Sequence, residues 1–384
     1  MGNAARWRQP LALGQPAYVG LTRMQATRQV LSEDRWHFQH GPIDIVLQAV
    51  GEPKACQQAV ELAWLRFQTV LPELVAELPL LRQPVSQLHA NSLKGSVAQR
   101  MWLVAQGLSW AAADGFVTPM AAVAGSVAQE VITHLVQDGV HKAYVNNGGD
   151  IALYLQEGQS WRIGIVSDLQ QAIHTHMATD WISDGQWVMD HSMPVRGVAT
   201  SGWRGRSFSL GIADSVTVLA TTAAQADVAA TLIANAVNLD HPAIVRRPAS
   251  SLRDDTDLGE RMVTVDVPAL PKDQVQAALQ LGLDCAHAMQ ARGDVFAAFL
   301  CCQGLTVVAQ PLECLVYCTD RCSTGVHPCG RDSPRVRSCG PDAAGAWCDC
   351  SGITQPLCRG LPRRYFADDG RLEPFGRRLG QTTV

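Results

Sequence analysis

The sequence predicts an α+β fold of antiparallel sheets flanked by helices, and three observations point to it. Short β-like runs are separated by brief connections rich in Gly, Asn and Pro, which only antiparallel neighbours can bridge. Longer segments carry apolar residues at helical steps, so each buries one face. Hydrophobic residues make up 47% of 384 positions against 17% charged, enough for a sizeable interior, which excludes disorder for the bulk of the chain.

The elements follow in order. Trp36 to Val50 reads WHFQHGPIDIVLQAV, two β-like runs around His40-Gly41-Pro42, a hairpin. From Ala55 to Leu81, Ala59, Ala63, Phe67, Val70, Leu74 and Leu78 share a helical face, with Pro72 as a kink or break. A second helix spans about Thr118 to Gln137. Pro119 suits its first position, and Val123, Val127, Val131 and Leu135 form its apolar stripe. Its Ala121, Ala122, Ala124, Gly125 and Ala128 let a neighbouring backbone or a flat ligand approach, close packing being the commoner use.

Lys142 to Asp168 then gives three strands, Tyr144-Val145, Ile151 to Leu155 and Trp161 to Val166, whose short connections predict an antiparallel meander. Ile173 to Met193 reads as a polar loop or lid-like insertion. Ser215 to Ala220 alternates as a strand, and Thr222 with Gln225 forms a capping box opening an Ala-rich helix to about Val237. A loop with Asp254, Asp255 and Asp257 follows, then a strand at Met262 to Val267, a helix at Lys272 to Leu281 and a closing segment around Ala297 to Ala309.

This body is residues 1–310, and residues 311–384 are unlike it. They hold eight of the twelve cysteines, are rich in Arg, contain no Lys and show no periodicity. Pairs such as Cys314/Cys318 and Cys348/Cys350 fit zinc spacing poorly. The expectation is a disordered C-terminal tail, or translation out of frame from near Gln310.

Charge and hydropathy narrow the function classes. The mild acidity, 35 Asp+Glu against 31 Lys+Arg, argues against a polyanion-binding surface, which needs clustered cations, so nucleic acid is not an expected partner. The first twenty residues hold no uninterrupted apolar core, and no later stretch reaches the run of about 18 apolar residues that a spanning helix requires. The expectation is a cytoplasmic protein with no membrane contact; a homo-oligomer is left open.

Three constellations carry candidate chemistry. Asn147-Gly148-Gly149-Asp150 lies between two strands, where paired glycines allow positive φ and open backbone groups to a phosphate or flat ring; a plain hairpin turn is the competing reading. Thr200-Ser201-Gly202, followed by Trp203, Arg204 and Arg206, offers hydroxyls and guanidinium donors for a pyrophosphate, or is an exposed loop. Asp227 and Thr231, four residues apart on the Ala-rich helix, place a carboxylate and a hydroxyl on one face, suited to Mg2+ or simply to solvent. His40 and His191, near turn residues and without a spacing partner, read as structural or solvated, and the Asp254/Asp255/Asp257 cluster as a solvated loop.

Taken in order, Gly148-Gly149-Asp150 after a strand, Thr200-Ser201-Gly202, and Ala226-Asp227-x-x-x-Thr231 opening a helix resemble the FAD:protein FMN transferase (ApbE-like) superfamily. TPMAAVAG, YVNNGGDIAL and ATSGWRGRSFSLGIADSVTVLA look like an uncharacterised cytosolic branch of it, of unknown function, over approximately Trp36 to Gln310. The resemblance implies an ApbE-like body in which the two glycine-containing segments border a flavin site, Asp227 and Thr231 hold Mg2+, and FAD or a related nucleotide is the small-molecule partner. It departs at Ser207 to Asp214, which stand where the transferases carry His-x-x-Asp-Pro-x-Thr-Gly. The resemblance therefore implies the binding scaffold and names no catalytic residue. Three activities stay open: Mg2+-dependent transfer of FMN from FAD or related pyrophosphate chemistry, non-catalytic binding of a flavin or pterin-like molecule, and another reaction class of cofactor biosynthesis.

Overall fold

A computed structural model describes residues 25–31, 34–89, 92–165 and 185–310. The cysteine-rich tail at 311–384, the first 24 residues and most of the expected insertion at 173–193 lie outside them.

Nine of the described strands form one antiparallel sheet. They are β1 (Thr27–Val30), β2 (Trp36–His40), β3 (Ile43–Gly51), β4 (Val140–Asn147), β5 (Asp150–Leu155), β8 (Gly197–Ser201), β9 (Ser215–Ala220), β12 (Ala297–Cys302) and β13 (Leu305–Ala309), in that spatial order. Two antiparallel pairs stand apart, β6 (Ser160–Ile165) with β7 (Gly185–Asp190), and β10 (Val245–Pro248) with β11 (Met262–Asp266). Among the described residues five α-helices, α1 (Pro53–Leu81), α2 (Ser96–Leu108), α3 (Val123–Leu135), α4 (Ala223–Ala236) and α5 (Lys272–Ala291), complete the α+β architecture.

Strand alternation sorts side chains between two apolar layers. Ala152, Ala199, Val216 and Val218 join the helices in the larger core, whereas Leu153, Val198, Leu219 and Phe299 point away from it. That second face is covered by Trp187 and Met189 of β7, with Trp161 and Ile163 of β6 packed alongside. The expected three-stranded meander therefore stops at β4–β5. The third strand folds over the sheet and pairs with β7, in a stretch expected to be loop, because its aromatic residues cover an apolar face that no described helix reaches.

Helix α1 continues through Pro72 and Pro79. An interior proline costs about 3 kcal/mol, while each fully buried large apolar side chain returns about 1.5–3 kcal/mol. Phe67, Val70, Leu71, Leu74 and Leu78 are all buried around these prolines, so packing outweighs the break. Pro119 opens a short 3-10 turn, Pro119–Ala122, with α3 starting behind it. The Thr222 cap on α4 is present, its side chain accepting from the Gln225 N–H at 3.2 Å.

Helix α4 is gripped backbone to backbone. A Cβ added at Gly125 would sit 2.2 Å from the Ala223 carbonyl oxygen, one at Gly197 2.1 Å from the Thr222 carbonyl carbon, and one at Gly211 2.0 Å from the Ala234 carbonyl oxygen. These glycines belong to α3, β8 and the loop after β8, so three parts of the chain fix α4 at van der Waals range. Close packing is thus how Gly125 is used. Helix α5 runs past the expected stop at Leu281, because Gly282 is interior helix packed on Val237 and Leu300, where a Cβ would come within 2.3 Å and 2.8 Å of their side chains.

Candidate functional site

The Asn147 to Asp150 segment is a tight hairpin, with Asn147 paired to Asp150 and Gly148 and Gly149 at φ 66° and 113°. Those angles are open to glycine and strained for other residues. The Gly149 N–H donates to Asn146 Oδ1 at 2.8 Å, so this expected phosphate donor is already engaged. Asn147, buried at 4% exposure, donates from Nδ2 to the Ala124 carbonyl at 3.1 Å and ties the hairpin to the start of α3.

Beside this hairpin the main sheet comes apart. The β5–β8 ladder pairs only Ile151 with Val198 and Ala152 with Gly197. Beyond it the Thr200 N–H lies beside the Asp150 carboxylate and favours its charged form. Asp150 shares strand parity with Ala152 and faces the helices, as Ser201 does with Ala199. Thr200 has the opposite parity: its hydroxyl lies 2.9 Å from that of Thr217, in register on β9, away from the helical face. Thr200-Ser201 is thus strand end, not loop, and it reaches the groove only through Ser201 and the Thr200 backbone.

Asp227 enters the groove from α4. Its Oδ2 accepts from the Gly125 N–H at 2.9 Å, and the Ala124 N–H also donates to it. It therefore caps the open N-terminal donors of α3, whose own N-cap position, Ala122, has no side-chain acceptor. Strand β8 and helix α4 both start where Gly197 meets Thr222, and they run the same way, since the chain turns back from β9 into α4. Thr231 lies about 12 Å along α4, level with the end of β8, which spans about 13 Å. Its hydroxyl is half-buried and makes no hydrogen bond among the described residues.

The two aspartates perturb one another. Burial, then the neighbouring Asp150 charge, hold the Asp227 carboxyl well above the usual carboxylate range, against the pull of the Gly125 and Ala124 N–H groups. Burial pushes Asp150 up to about 7, against the Thr200 N–H and the Arg206 guanidinium. Both keep some exposure although protein surrounds them, so the pair is an acidic groove short of positive charge.

A metal ion would relieve that shortage. Two carboxylates and the Thr231 hydroxyl are hard oxygen donors of the kind Mg2+ takes, usually with waters and ligand phosphates completing its shell. Among the described residues no group of three or more His, Cys, Asp or Glu could hold a metal, so this set would be completed from outside the protein.

The remaining candidates have structural uses. His40 is buried beside Phe67, and His191 is exposed. Asp255 pairs with Arg82 at 3.0 Å and Asp257 accepts from Thr118, so the aspartate loop is fastened to neighbouring elements as well as solvated. In the segment that stands for the missing motif, Ser209 contacts Asn235 and Asp214 accepts from Trp203, Arg204 and the Gln303 N–H. A cavity of about 330 Å³ at Asn238, Leu239, Asp240 and Arg246, past the end of α4, contains none of the predicted site residues.

A family model described as AbpE bacteria matches residues 28–308. This chain belongs to that family. The match to the AbpE bacteria model takes in the hairpin, the β8 end and α4, and it bears out the ApbE-like resemblance. A UPF0280 protein from Methanothermobacter thermautotrophicus is 35% identical over 149 residues, 38% of this chain and 54% of that protein. Another, from Methanosphaerula palustris, is 30% identical over 208 residues, 53% of this chain and 77% of that protein. The chain spans between 45% and 66% of the length of the first three such relatives. Among solved structures, Pseudomonas stutzeri flavinyl transferase ApbE in its apo form is similar with a TM-score of 0.36 at 14% identity, covering 76% of this chain and 96% of that one. The flavin transferase ApbE from Vibrio cholerae gives a TM-score of 0.33 at 13% identity, covering 75% and 98%. No described helix is long and apolar enough to cross a membrane.

Proposed function

We propose that the groove between β5, β8 and α4 binds the pyrophosphate of a flavin nucleotide with Mg2+, and that the protein transfers FMN from FAD or performs related pyrophosphate chemistry in the cytoplasm. The observation that carries this reading is the pair Asp150 and Asp227, two half-buried carboxylates on facing walls of the groove, Asp227 bonded to the Gly125 N–H at the start of α3. Bound there, Mg2+ would neutralise charge developing on the transferred phosphoryl group. Asp227 and Thr231 would hold it, with Asp150 in support, while Asn147, Gly148 and Gly149 shape one wall and Ser201 and Gly202 the end of another. In transfer, the acceptor hydroxyl oxygen bonds to the FMN phosphorus as the pyrophosphate bond breaks, AMP leaves, and the hydroxyl proton is lost to the medium.

The engaged state of Asp214 favours a second reading, ligand binding without transfer, since its carboxylate already accepts from Trp203, Arg204 and the Gln303 N–H and is not free to act as a base. Incubation with FAD, Mg2+ and a Thr-containing acceptor separates the two. AMP release with a covalent yellow product supports transfer; retained flavin without AMP supports binding alone; neither outcome sinks both. Asp227→Asn is expected to fold, since one amide oxygen can still accept from the α3 N–H groups, and to lose Mg2+-dependent flavin binding by calorimetry. Unchanged metal dependence would remove Asp227 from the site.

A further inference from the structure

The bend after β8 carries two arginines, and the fold engages only one of them. Arg204 donates from Nε to Asp214 at 3.1 Å and stacks on the Trp203 ring with its guanidinium carbon 4.6 Å from the centroid. Arg206 makes no hydrogen bond or ion pair among the described residues and is exposed. Its guanidinium nevertheless has a defined place. It lies against the hairpin tip so closely that a Cβ at Gly148 would be 2.1 Å from Nη2 and 3.2 Å from Cζ. A Cβ at Gly149, one residue on, would meet nothing within 4 Å. A cation thus rests on a bare glycine, its donors unpaired, beside an open hairpin tip and next to the acidic groove.

We propose that Arg206 recognises the phosphate of the bound nucleotide and sets a preference for phosphorylated over unphosphorylated flavin; this deepens the reading above and rests on it. With Mg2+ held on the carboxylate side, as proposed above, a phosphate in the groove still presents oxygens on its opposite side, where a second cation would balance them. Arg206 is the cation placed to do so, since Arg204 is committed to Asp214 and the Gly149 N–H to Asn146. The planar fork of guanidinium donors matches phosphate oxygens two at a time. Gly148 is required on two counts, its positive φ and the contact with Arg206, so the hairpin glycines act by admitting the arginine as well as by turning the chain.

The test is calorimetric titration of the full chain with FAD, riboflavin and inorganic pyrophosphate, each with Mg2+ and with chelator. Arg206→Gln should weaken FAD and pyrophosphate binding by about tenfold or more, leave riboflavin unchanged, and be partly rescued by Arg206→Lys. Arg204→Gln, on the same bend, should leave all three ligands unaffected. Wild-type affinity for FAD and pyrophosphate in Arg206→Gln overturns the assignment, as does equal loss of riboflavin, an equal effect of Arg204→Gln, or no binding of either phosphate probe. Pyrophosphate binding that depends on Arg206 without any FAD binding keeps the arginine and sinks the flavin reading. Mg2+-dependent FAD binding indifferent to Arg206 does the reverse.

Discussion

Two groups of enclosed carboxylates in this molecule are treated in opposite ways. Glu130 on α3 accepts from Arg66 Nε and from Arg100 Nη2, each at 2.8 Å, and from Ser96 at 3.1 Å. Arg66 also holds Glu73, so two guanidinium groups and two carboxylates close on one another between α1, α2 and α3. Although burial alone would raise it, the paired arginines bring Glu130 below the ordinary carboxylate range. On the same helix, the N-terminus meets Asp227, and across the groove from it Asp150, which have backbone N–H groups and one unbonded arginine as company. The first acid is neutralised by two arginines; the second pair makes no ion pair among the described residues.

The largest expected effect tests the first half of that contrast. Glu130→Ala leaves Arg100 with the Ser126 carbonyl alone and takes from Arg66 one of its two carboxylates, Glu73, Thr69 and Ser96 remaining, both arginines being half-buried. The expected loss is about 3 kcal/mol, the cost of breaking an enclosed ion pair by removing one member, read as a lowered denaturant midpoint. A variant as stable as the parent would make this network a surface pairing of little worth.

The second prediction sharpens the contrast through pH. Asp150 binds its proton more tightly folded than unfolded, about 7 against about 3.9, so the native state holds more protons in that window and stability falls as pH rises from about 4 to about 7. Glu130 works in the other direction: its contribution is present above its unfolded value and is lost as pH falls. Asp150→Asn should flatten the decline between about pH 4 and 7 in metal-free buffer. Urea midpoints across that range check this, and an unaltered profile would mean that Asp150 is not the group responsible.

The smallest effect concerns Thr200. Thr200→Val removes one hydroxyl contact, to Thr217, on the sheet face away from the groove. The expected cost is about 1 kcal/mol or less, with flavin affinity unchanged in titration. Weakened binding would place the hydroxyl in the site after all.

Much of this was legible locally. The hairpin at Gly148-Gly149, the Thr222 cap and the strand from Ser215 to Ala220 depend on neighbours in sequence, and their signals are short-range. Helix α2 was missed although Val97, Met101, Ala105 and Leu108 give it a buried stripe. The helix expected to end at Leu281 runs on through Gly282, whose close neighbours Val237 and Leu300 lie on elements distant in sequence. The β6–β7 pairing joins segments far apart in sequence. The Thr200-Ser201 strand has too few apolar residues to declare itself, and which side chain faces the helices follows only from register. Of the site, Asp227 and the hairpin were readable as candidates; Asp150 acting with Asp227 and Arg206 as distinct from Arg204 emerge only from three dimensions.

The glycine contacts around α4 bear on how such a protein could change its ligand over evolutionary time. With Ala223, Thr222 and Ala234 pressed against Gly125, Gly197 and Gly211, the acid on this helix has a fixed address, and substitutions that shift it would also pry apart the fold. The exposed bend from Arg204 to Ser207 carries no such constraint. On the reading proposed above, new specificity is easiest to acquire there, by exchanging the residue that rests on Gly148 while the carboxylates stay where they are.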